Sequence, residues 1–188
     1  MQLISGVSLP AYWASNMIAD IVKTYVPIFI ILILQVIFDL QYDGVWELII
    51  LYPLVIVPFT YVTSFLFTGD TVAQIMTLFM HFMMGGIAPI VVFTLQNIPS
   101  TANLGDSMRW WFTPIPTYCI GHGIVWSSTW NLLNISRNGL IATGKYPDLV
   151  PINDNIYAFA NLTGDYTIMI ITGIVCSLLL VLIEADLF

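Results

Sequence analysis

Charge is the scarcest property of this 188-residue sequence. Only 8% of the residues are charged, whereas 59% are hydrophobic and the mean hydropathy is +0.90. A soluble domain of ordinary composition carries about 25% charged residues, because it needs them to present a hydrated surface to water. So little charge excludes a soluble globular domain and indicates an integral membrane protein whose surroundings are the lipid bilayer.

Basic residues and cysteines are also few. The 4 Lys and Arg residues stand against 11 Asp and Glu, and the net charge of −7 excludes a basic surface for nucleic acid. The two cysteines, Cys119 and Cys176, are too few for a disulfide scaffold, and neither lies at a metal-ligand spacing. The start of the chain is not basic, and its apolar run exceeds the roughly 7–15 residues of a signal-peptide core, so no cleavable signal is predicted.

Long apolar runs are what the sequence has in abundance. A bilayer core of about 30 Å requires roughly 20 apolar residues in a helix. Four stretches meet that requirement, namely 11–38, 45–67, 72–95 and 166–183. The links between the first three are short, so these three spans are predicted to be antiparallel neighbours. The predicted fold class is therefore all-α, a multi-pass bundle of helices in the plasma membrane or an organelle membrane.

The foot of the first span carries an aromatic pair, Tyr12 and Trp13, and then two charged residues, Asp20 and Lys23. Tyr and Trp are enriched at the level of the lipid headgroups. Asp20 and Lys23 are three residues apart on one helix face, so they can form an ion pair. The plain interpretation is an interfacial ion pair. The functional interpretation is a contact with a lipid headgroup or with a partner domain, and the sequence leaves both open.

The third span contains His81, which is followed by Gly85 and Gly86. A lone His on an apolar membrane helix is more often hydrogen-bonded to a neighbouring helix than used as a ligand or a proton relay, so that bond is predicted here. The two glycines predict a close approach of another helix or a bend.

The segment 96–165 differs from the spans because its apolar stretches are interrupted. Two of them meet at a corner that contains Pro114 and Pro116. We predict a re-entrant helical hairpin over about 107–133, a structure that the bilayer tolerates only where protein or water covers its backbone. The alternative is a fifth span from about 116 to 133, which would reverse the orientation of the last span.

Two sequence features bear on the side of the membrane where this segment lies. Asn134 and Asn161 both fit the acceptor pattern for N-glycosylation, which requires an extracellular or lumenal location. Three of the 4 bases, Arg109, Arg137 and Lys145, lie in the same segment, contrary to the positive-inside tendency. Because so few bases give that tendency little weight, we predict an extracellular segment and a cytoplasmic N-terminus.

Motifs for catalysis are incomplete, and no catalytic, cofactor-binding or metal-binding residue is predicted. The run from Gly139 to Lys145 has the spacing of a phosphate-binding loop, but Tyr146 stands where a Ser or Thr belongs. His122 lies between two glycines, and no nucleophile or acid can be tied to it by spacing, so a structural role is predicted. A membrane enzyme that uses His122 and His81 is the weakest hypothesis.

Three stretches, taken together, carry a resemblance to a known family. The first is Gln2-Leu3-Ile4-Ser5-Gly6-Val7, followed by Tyr12-Trp13, Asn16 and Asp20. The second is Pro58-Phe-Thr-Tyr61-Val-Thr-Ser64-Phe65-Leu-Phe67, and the third is Pro116-Thr-Tyr118-Cys-Ile-Gly121-His-Gly123. In this order and at this spacing, they resemble the second transmembrane half of ABC transporters of the A subfamily, lipid exporters with the ABC-2 permease fold. The resemblance covers nearly the whole chain.

The resemblance implies roles for two groups of residues. It places residues 1–10 at the end of a cytoplasmic coupling helix, whose interface residues are Gln2, Ser5, Gly6 and Val7. It places Pro116, Tyr118, Gly121 and Gly123 in extracellular re-entrant helices.

The resemblance also implies a function, the permease portion of a transporter that moves lipids. ATP and Mg²⁺ would bind in a separate nucleotide-binding domain, and the partners would be that domain and the first transmembrane half. The family's half-unit also has an earlier span, a large extracellular domain and an ATPase domain that this sequence lacks, so we expect the chain to be a fragment. The alternative is a stand-alone polytopic membrane protein or assembly partner without ATPase coupling.

Overall fold

The computed structural model describes residues 9–39, 44–98, 100–142 and 162–186, and in these ranges it contains helices and turns but no strand. The helices in chain order are α1 Leu9–Ile37, α2 Val45–Ser64, α3 Asp70–Phe82, a π-helical turn Met83–Ile87, α4 Ala88–Asn97, α5 Ala102–Phe112, α6 Pro116–Ala142 and α7 Gly164–Asp186.

Four helical stretches are long and apolar enough to cross a membrane, which confirms the predicted all-α, multi-pass fold. They are Ala11–Ile37, Val45–Ser64, Asp70–Asn97 and Gly164–Ile183. The third consists of α3, the π-helical turn and α4 in one continuous helix. Each stretch begins and ends within three residues of the predicted span, because apolar composition sets these limits directly.

The outward faces of the spans are apolar. Val36 on α1 and Leu78 on α3 are 72% and 73% exposed, and many other large apolar side chains on the spans are similarly exposed. In water such a surface would be an aggregation site, whereas lipid tails solvate it at no cost. The exposure therefore identifies the chain as an integral membrane protein.

Helix α2 lies at the centre of the bundle and packs against α1, α3, α6 and α7. One side of α2 contributes Leu48 and Val55 to an apolar core that includes Cys119 of α6 and Met169 of α7. Another side contributes Val45 and Ile49, which pack against Ile28 of α1. Helix α2 therefore contacts helices from both ends of the described chain.

Helices α5 and α6 form the predicted helical corner, which we call the elbow. They are joined by a tight turn at 113–115, in which the backbone N–H of Ile115 donates to the carbonyl oxygen of Phe112 at 2.9 Å. Helix α6 is 27 residues long and ends at Ala142, nine residues beyond the predicted limit of 133. It is not among the four described stretches that are apolar enough to span. The depth of the elbow in the bilayer stays a prediction.

The elbow packs closely on the third span. An added Cβ at Gly85 would lie 2.6 Å from Cγ2 of Thr117, and one at Gly121 would collide with the carbonyl oxygen of Gly85. Any larger side chain at Gly121 would force the two helices apart. The predicted close approach at Gly85 is therefore confirmed, and the π-helical turn lies at this contact.

Candidate functional site

Three helices bring one charged or polar side chain each to a buried point beneath the elbow. Arg109 lies in the last turn of α5, His122 in the second turn of α6, and Asp165 in the first turn of α7. We call these three residues the elbow cluster. They are separated by 13 to 56 residues in the chain, so only the packing of the elbow on α7 brings them together.

In the elbow cluster, His122 and Arg109 share the carboxylate of Asp165. Oδ2 of Asp165 lies 2.6 Å from Nδ1 of His122, and Oδ1 lies 3.5 Å from Nη2 of Arg109. The Asp165 side chain is fully buried, and those of His122 and Arg109 are 1% and 6% exposed. A buried carboxylate is tolerated only when it is paired and hydrogen-bonded, and Asp165 meets both conditions.

The backbone of the elbow turn is fastened to the same cluster. Oγ1 of Thr113 donates to the carbonyl oxygen of Arg109 at 2.8 Å, and the thiol of Cys119 donates to the carbonyl oxygen of Thr113 at 3.0 Å. The carbonyl oxygen of Arg109 also accepts the backbone N–H of Thr113 at 2.9 Å. The turn, the arginine and the start of α6 therefore form one hydrogen-bonded unit.

An aromatic column runs along one face of α6 above and below the histidine. Tyr118, His122, Trp126 and Trp130 recur every fourth residue, with ring centroids 5.8, 6.1 and 5.8 Å apart. Such spacing keeps offset or tilted rings in contact on one helix face. The stack fixes the orientation of the imidazole ring, which keeps Nδ1 directed at Asp165.

The neighbours of the cluster are held in their neutral forms. Burial raises the pKa of the Tyr118 phenol, and the nearby Asp165 carboxylate raises it further. Burial, and again Asp165, raises the pKa of the Cys119 thiol well above its usual value. Neither group is an activated nucleophile, because a thiol or phenol attacks only after it loses its proton. The arrangement is suited to fixing helices rather than to covalent chemistry.

The residues that the resemblance singles out in α6 lie in its first two turns. Pro116 is buried at the first position of the helix, and Tyr118 is fully buried beside Phe112, with ring centroids 5.6 Å apart. Gly121 faces Gly85, and an added Cβ at Gly123 would lie 2.8 Å from Cδ1 of Leu48. These positions surround the elbow cluster, although their role in re-entrant helices stays a prediction.

Other predicted site residues fall at or beyond the limits of the described structure. Gln2, Ser5, Gly6 and Val7 of the proposed coupling interface lie outside the described residues, and so does Asn161. Asn134 lies within α6, although its side chain is outside what the structure describes. Both glycosylation sites and the coupling role stay predictions.

Two predictions about polar residues in the spans are confirmed. Nδ1 of His81 lies 2.7 Å from Oγ1 of Thr117, which joins the third span to α6. Nζ of Lys23 lies 3.0 Å from Oδ1 of Asp20 on α1. The hydroxyl of Tyr61 on α2 also donates to Oδ2 of Asp20, a partner that the sequence did not indicate.

Asp165 and Arg109 are the functional residues that the sequence analysis missed. Spacing tied no acid to His122, and the acid that the structure supplies is 43 residues away. One signal was available, because a chain with so few charges tends to bury them only in pairs. An arginine and an aspartate at opposite ends of a segment between spans are candidates for such a pair.

Comparison with known proteins gives a family and several relatives. The profile of the family described as "ABC-2 family transporter protein" matches residues 1–182. The chain is 28% identical over 134 residues to the rat phospholipid-transporting ATPase ABCA3, in an alignment that covers 66% of this chain and 8% of that protein. It is 27% identical over 135 residues to human ATP-binding cassette sub-family A member 2, which covers 66% of this chain and 6% of that protein.

A further relative matches over the whole chain. Mouse ATP-binding cassette sub-family A member 17 is 24% identical over 209 aligned positions, which cover 100% of this chain and 12% of that protein. The chain thus spans about a tenth of the length of the curated relatives that it matches.

Proposed function

The chain belongs to the ABC-2 transporter family and forms a membrane-spanning part of such a transporter, and we propose that its cargo is lipid. We further propose that ATP is hydrolysed by a nucleotide-binding domain outside this chain. That domain and a first transmembrane half would be the partners of this chain. The match of the family profile to residues 1–182 is the observation that carries this proposal.

Lipid as the cargo is supported by the relatives and by the chain's own surface. One relative is named as a phospholipid-transporting ATPase. The spans expose large apolar side chains along their length, and the first span carries the ion pair of Asp20 and Lys23. An amphipathic molecule that keeps its tails in the bilayer matches such a surface better than a water-soluble solute does.

The packing provides a route by which movement at the cytoplasmic side would reach the elbow. Residues 1–10 lead into α1, and α1 is fastened to α2 by the bond from Tyr61 to Asp20 and by the Tyr25 hydroxyl, which donates to the carbonyl oxygen of Ile50 at 2.9 Å. Helix α2 packs on α6 and α7, which the elbow cluster joins. Hydrolysis of ATP elsewhere would supply the energy, while the bonds in this chain would keep the helices moving as a unit.

The proposal is tested by measuring lipid movement. The protein, as its gene encodes it, is purified and reconstituted into sealed vesicles that contain a fluorescent phospholipid, and the share of label accessible to a membrane-impermeant quencher is followed. We expect this share to change with ATP and to stay constant with a non-hydrolysable ATP analogue. No difference between the two nucleotides would contradict the proposal and favour a polytopic protein without ATPase coupling.

A second measurement concerns the chain by itself. Because Tyr146 replaces the hydroxyl residue of a phosphate-binding loop, membranes that contain only these 188 residues are expected to hydrolyse ATP at the rate of empty membranes. Hydrolysis above that background would contradict the assignment of ATP to a separate domain.

A further inference from the structure

A cavity of about 350 Å³ lies between α1, α2 and α3. Small-molecule sites in proteins have volumes of about 300–1,000 Å³. One end of this cavity is lined by Asp20, Lys23 and Tyr61, and its wall is formed by Ile56 and Val57. The lining also includes Thr24, Tyr52, Thr60 and His81. The cavity is therefore amphipathic, with charges at one end and a mostly apolar lining in which Tyr52, Thr60 and His81 add polar groups.

The charged end lies at the boundary of the membrane. Tyr61 is three residues before the end of α2, a helix of 20 residues, which at 1.5 Å per residue is just long enough to cross about 30 Å of hydrocarbon. The hydroxyl of Tyr61 donates to Asp20, so Asp20 lies at the same level. Tyr52, which lines the other end, is about 14 Å deeper at the same rise per residue. The cavity thus runs from headgroup level into the hydrocarbon.

Both charges at this end are accessible. The side chains of Asp20 and Lys23 are 38% and 76% exposed, although they pair with each other at 3.0 Å. A carboxylate is a natural partner for an ammonium group, and a lysine ammonium is one for a phosphate. A ligand that carries both groups can replace one exposed ion pair with two, whereas a ligand with a single charge leaves one residue unpaired.

Tyr61, which bonds the carboxylate of Asp20, belongs to a chain of aromatic rings. The rings of Trp13 and Tyr61 are in edge-to-face contact with centroids 5.8 Å apart, and Tyr12 lies against Trp13 at 6.0 Å. The faces of such rings attract organic ammonium groups, and the attraction grows where water is excluded. The ring of Tyr61, which lines the cavity beside Asp20, therefore favours an organic ammonium group there over a hydrated inorganic cation.

We propose that this cavity binds a zwitterionic phospholipid, with its ammonium group on Asp20 and its phosphate on Lys23. The upper part of an acyl chain lies along Ile56 and Val57. A partner domain that approached from water could reach the two charges but not the apolar wall, which favours a lipid as the occupant. The inference goes beyond the proposed function, because the bound lipid need not be the transported one.

Competition between lipids of different headgroups tests the proposal. The detergent-purified protein, as its gene encodes it, is mixed with equal amounts of phosphatidylcholine and phosphatidylglycerol that carry the same acyl chains. The lipids retained are counted by native mass spectrometry. We expect phosphatidylcholine to be favoured about tenfold, because only this lipid can form the additional ion pair between its quaternary ammonium group and Asp20. Equal retention of the two lipids would overturn the proposal.

Matched variants test whether Asp20 is responsible for the preference for phosphatidylcholine. Asp20→Asn is expected to abolish the preference for phosphatidylcholine, while Asp106→Asn, which removes an exposed carboxylate hydrogen-bonded to Gln96, should leave it unchanged. A charge exchange, Asp20→Lys with Lys23→Asp, keeps an ion pair on the same helix face but places a cation beside Tyr61. We expect this exchange to lose the preference as well. If either Asp20 variant kept the preference for phosphatidylcholine, the proposal would be overturned.

Soluble phosphocholine distinguishes a lipid site from a simple headgroup site. Because the apolar wall contributes to binding of the lipid, phosphocholine is expected to displace phosphatidylcholine only at a concentration at least about a hundredfold higher. Displacement at equal concentration would contradict the part assigned to Ile56 and Val57.

The lipid competition tests the binding site, and the vesicle assay tests the transport function, so a negative result in one does not decide the other. ATP-dependent lipid movement without headgroup selectivity at Asp20 would refute the binding site and leave the transport function standing. Selective binding without ATP-dependent movement would refute the transport function and leave the binding site standing.

Discussion

Two groups of charges in this chain lie in opposite environments. The elbow cluster of Arg109, His122 and Asp165 is almost wholly buried between α5, α6 and α7. Asp20 and Lys23, which we call the rim pair, are exposed at the membrane boundary beside a cavity. The elbow cluster joins one carboxylate to an arginine and a histidine, and the rim pair joins one carboxylate to a lysine. The clearest difference between the two groups is their accessibility.

The contrast shows what a charge can do in a nearly uncharged protein. A buried ion pair gains its energy from partners fixed in place, and losing one partner leaves an uncompensated charge in an apolar interior. An exposed pair contributes little to stability because water solvates both ends. The elbow cluster is therefore suited to hold helices together, and the rim pair is free to exchange its internal contact for a ligand.

The largest expected effect follows from neutralising Asp165. Asp165→Asn leaves Arg109 buried without its carboxylate, so we expect the free energy of unfolding to fall by about 3–5 kcal/mol, the cost of breaking a buried pair. Denaturation of the purified protein in mixed micelles, followed by circular dichroism, measures this change.

The rim pair supplies the control for this variant. Asp20→Asn removes the same charge at an exposed position and is expected to lower the free energy of unfolding by at most about 1 kcal/mol. Equal losses for Asp165→Asn and Asp20→Asn would remove the distinction between the two regions.

A second prediction concerns the contact that brings the elbow onto the third span. Gly121→Ala places a methyl group against the backbone of Gly85, and we expect a loss of about 1–3 kcal/mol in the free energy of unfolding. Gly86→Ala is the matched control, because nothing lies within 4 Å of an added Cβ there. Since Ala is the better helix former, Gly86→Ala should be neutral or slightly stabilising. A tolerated Gly121→Ala would show that the elbow is not closely packed.

The sequence predicted the spans and the contacts within one helix, but not the elbow cluster. Hydropathy located four spans to within three residues, and the spacing of Asp20 and Lys23 was enough to pair them. Asp165 and Arg109 are 56 residues apart, and no spacing rule extends across two helices and a long link. The extension of α6 to Ala142 was also missed, because polar residues interrupt its apolar pattern.

A third, smaller effect is expected at the contact between His81 and Thr117. Thr117→Val removes the hydroxyl that bonds Nδ1 of His81 while keeping the shape of the side chain, so a loss of about 1 kcal/mol is expected. Thr94→Val is the control, since the exposed Thr94 hydroxyl bonds only the carbonyl oxygen of Ile90 in its own helix. Thermal unfolding of both variants, side by side, makes the comparison. A smaller loss for Thr117→Val than for Thr94→Val would argue against a link between the third span and α6.

The smallest expected effect on stability is at Lys23. Lys23→Met keeps the length of the side chain and removes the charge from a position that is 76% exposed, so the free energy of unfolding should change by less than about 1 kcal/mol. The same variant should weaken the retention of both lipids and leave phosphatidylcholine favoured, because both lipids carry the phosphate that Lys23 binds and only one carries the ammonium group. A large loss of stability would show that the rim pair is structural, as the elbow cluster is.

The energetic coupling between His122 and Asp165 tests most directly whether a buried cluster fastens the elbow to the last span. His122→Phe keeps a ring in the aromatic column while removing the bond to Asp165, and it is combined with Asp165→Asn in a double-mutant cycle. We predict a coupling energy of about 1.5–3 kcal/mol in the free energy of unfolding, as for residues in direct contact. Losses that add to within about 0.5 kcal/mol would contradict the account.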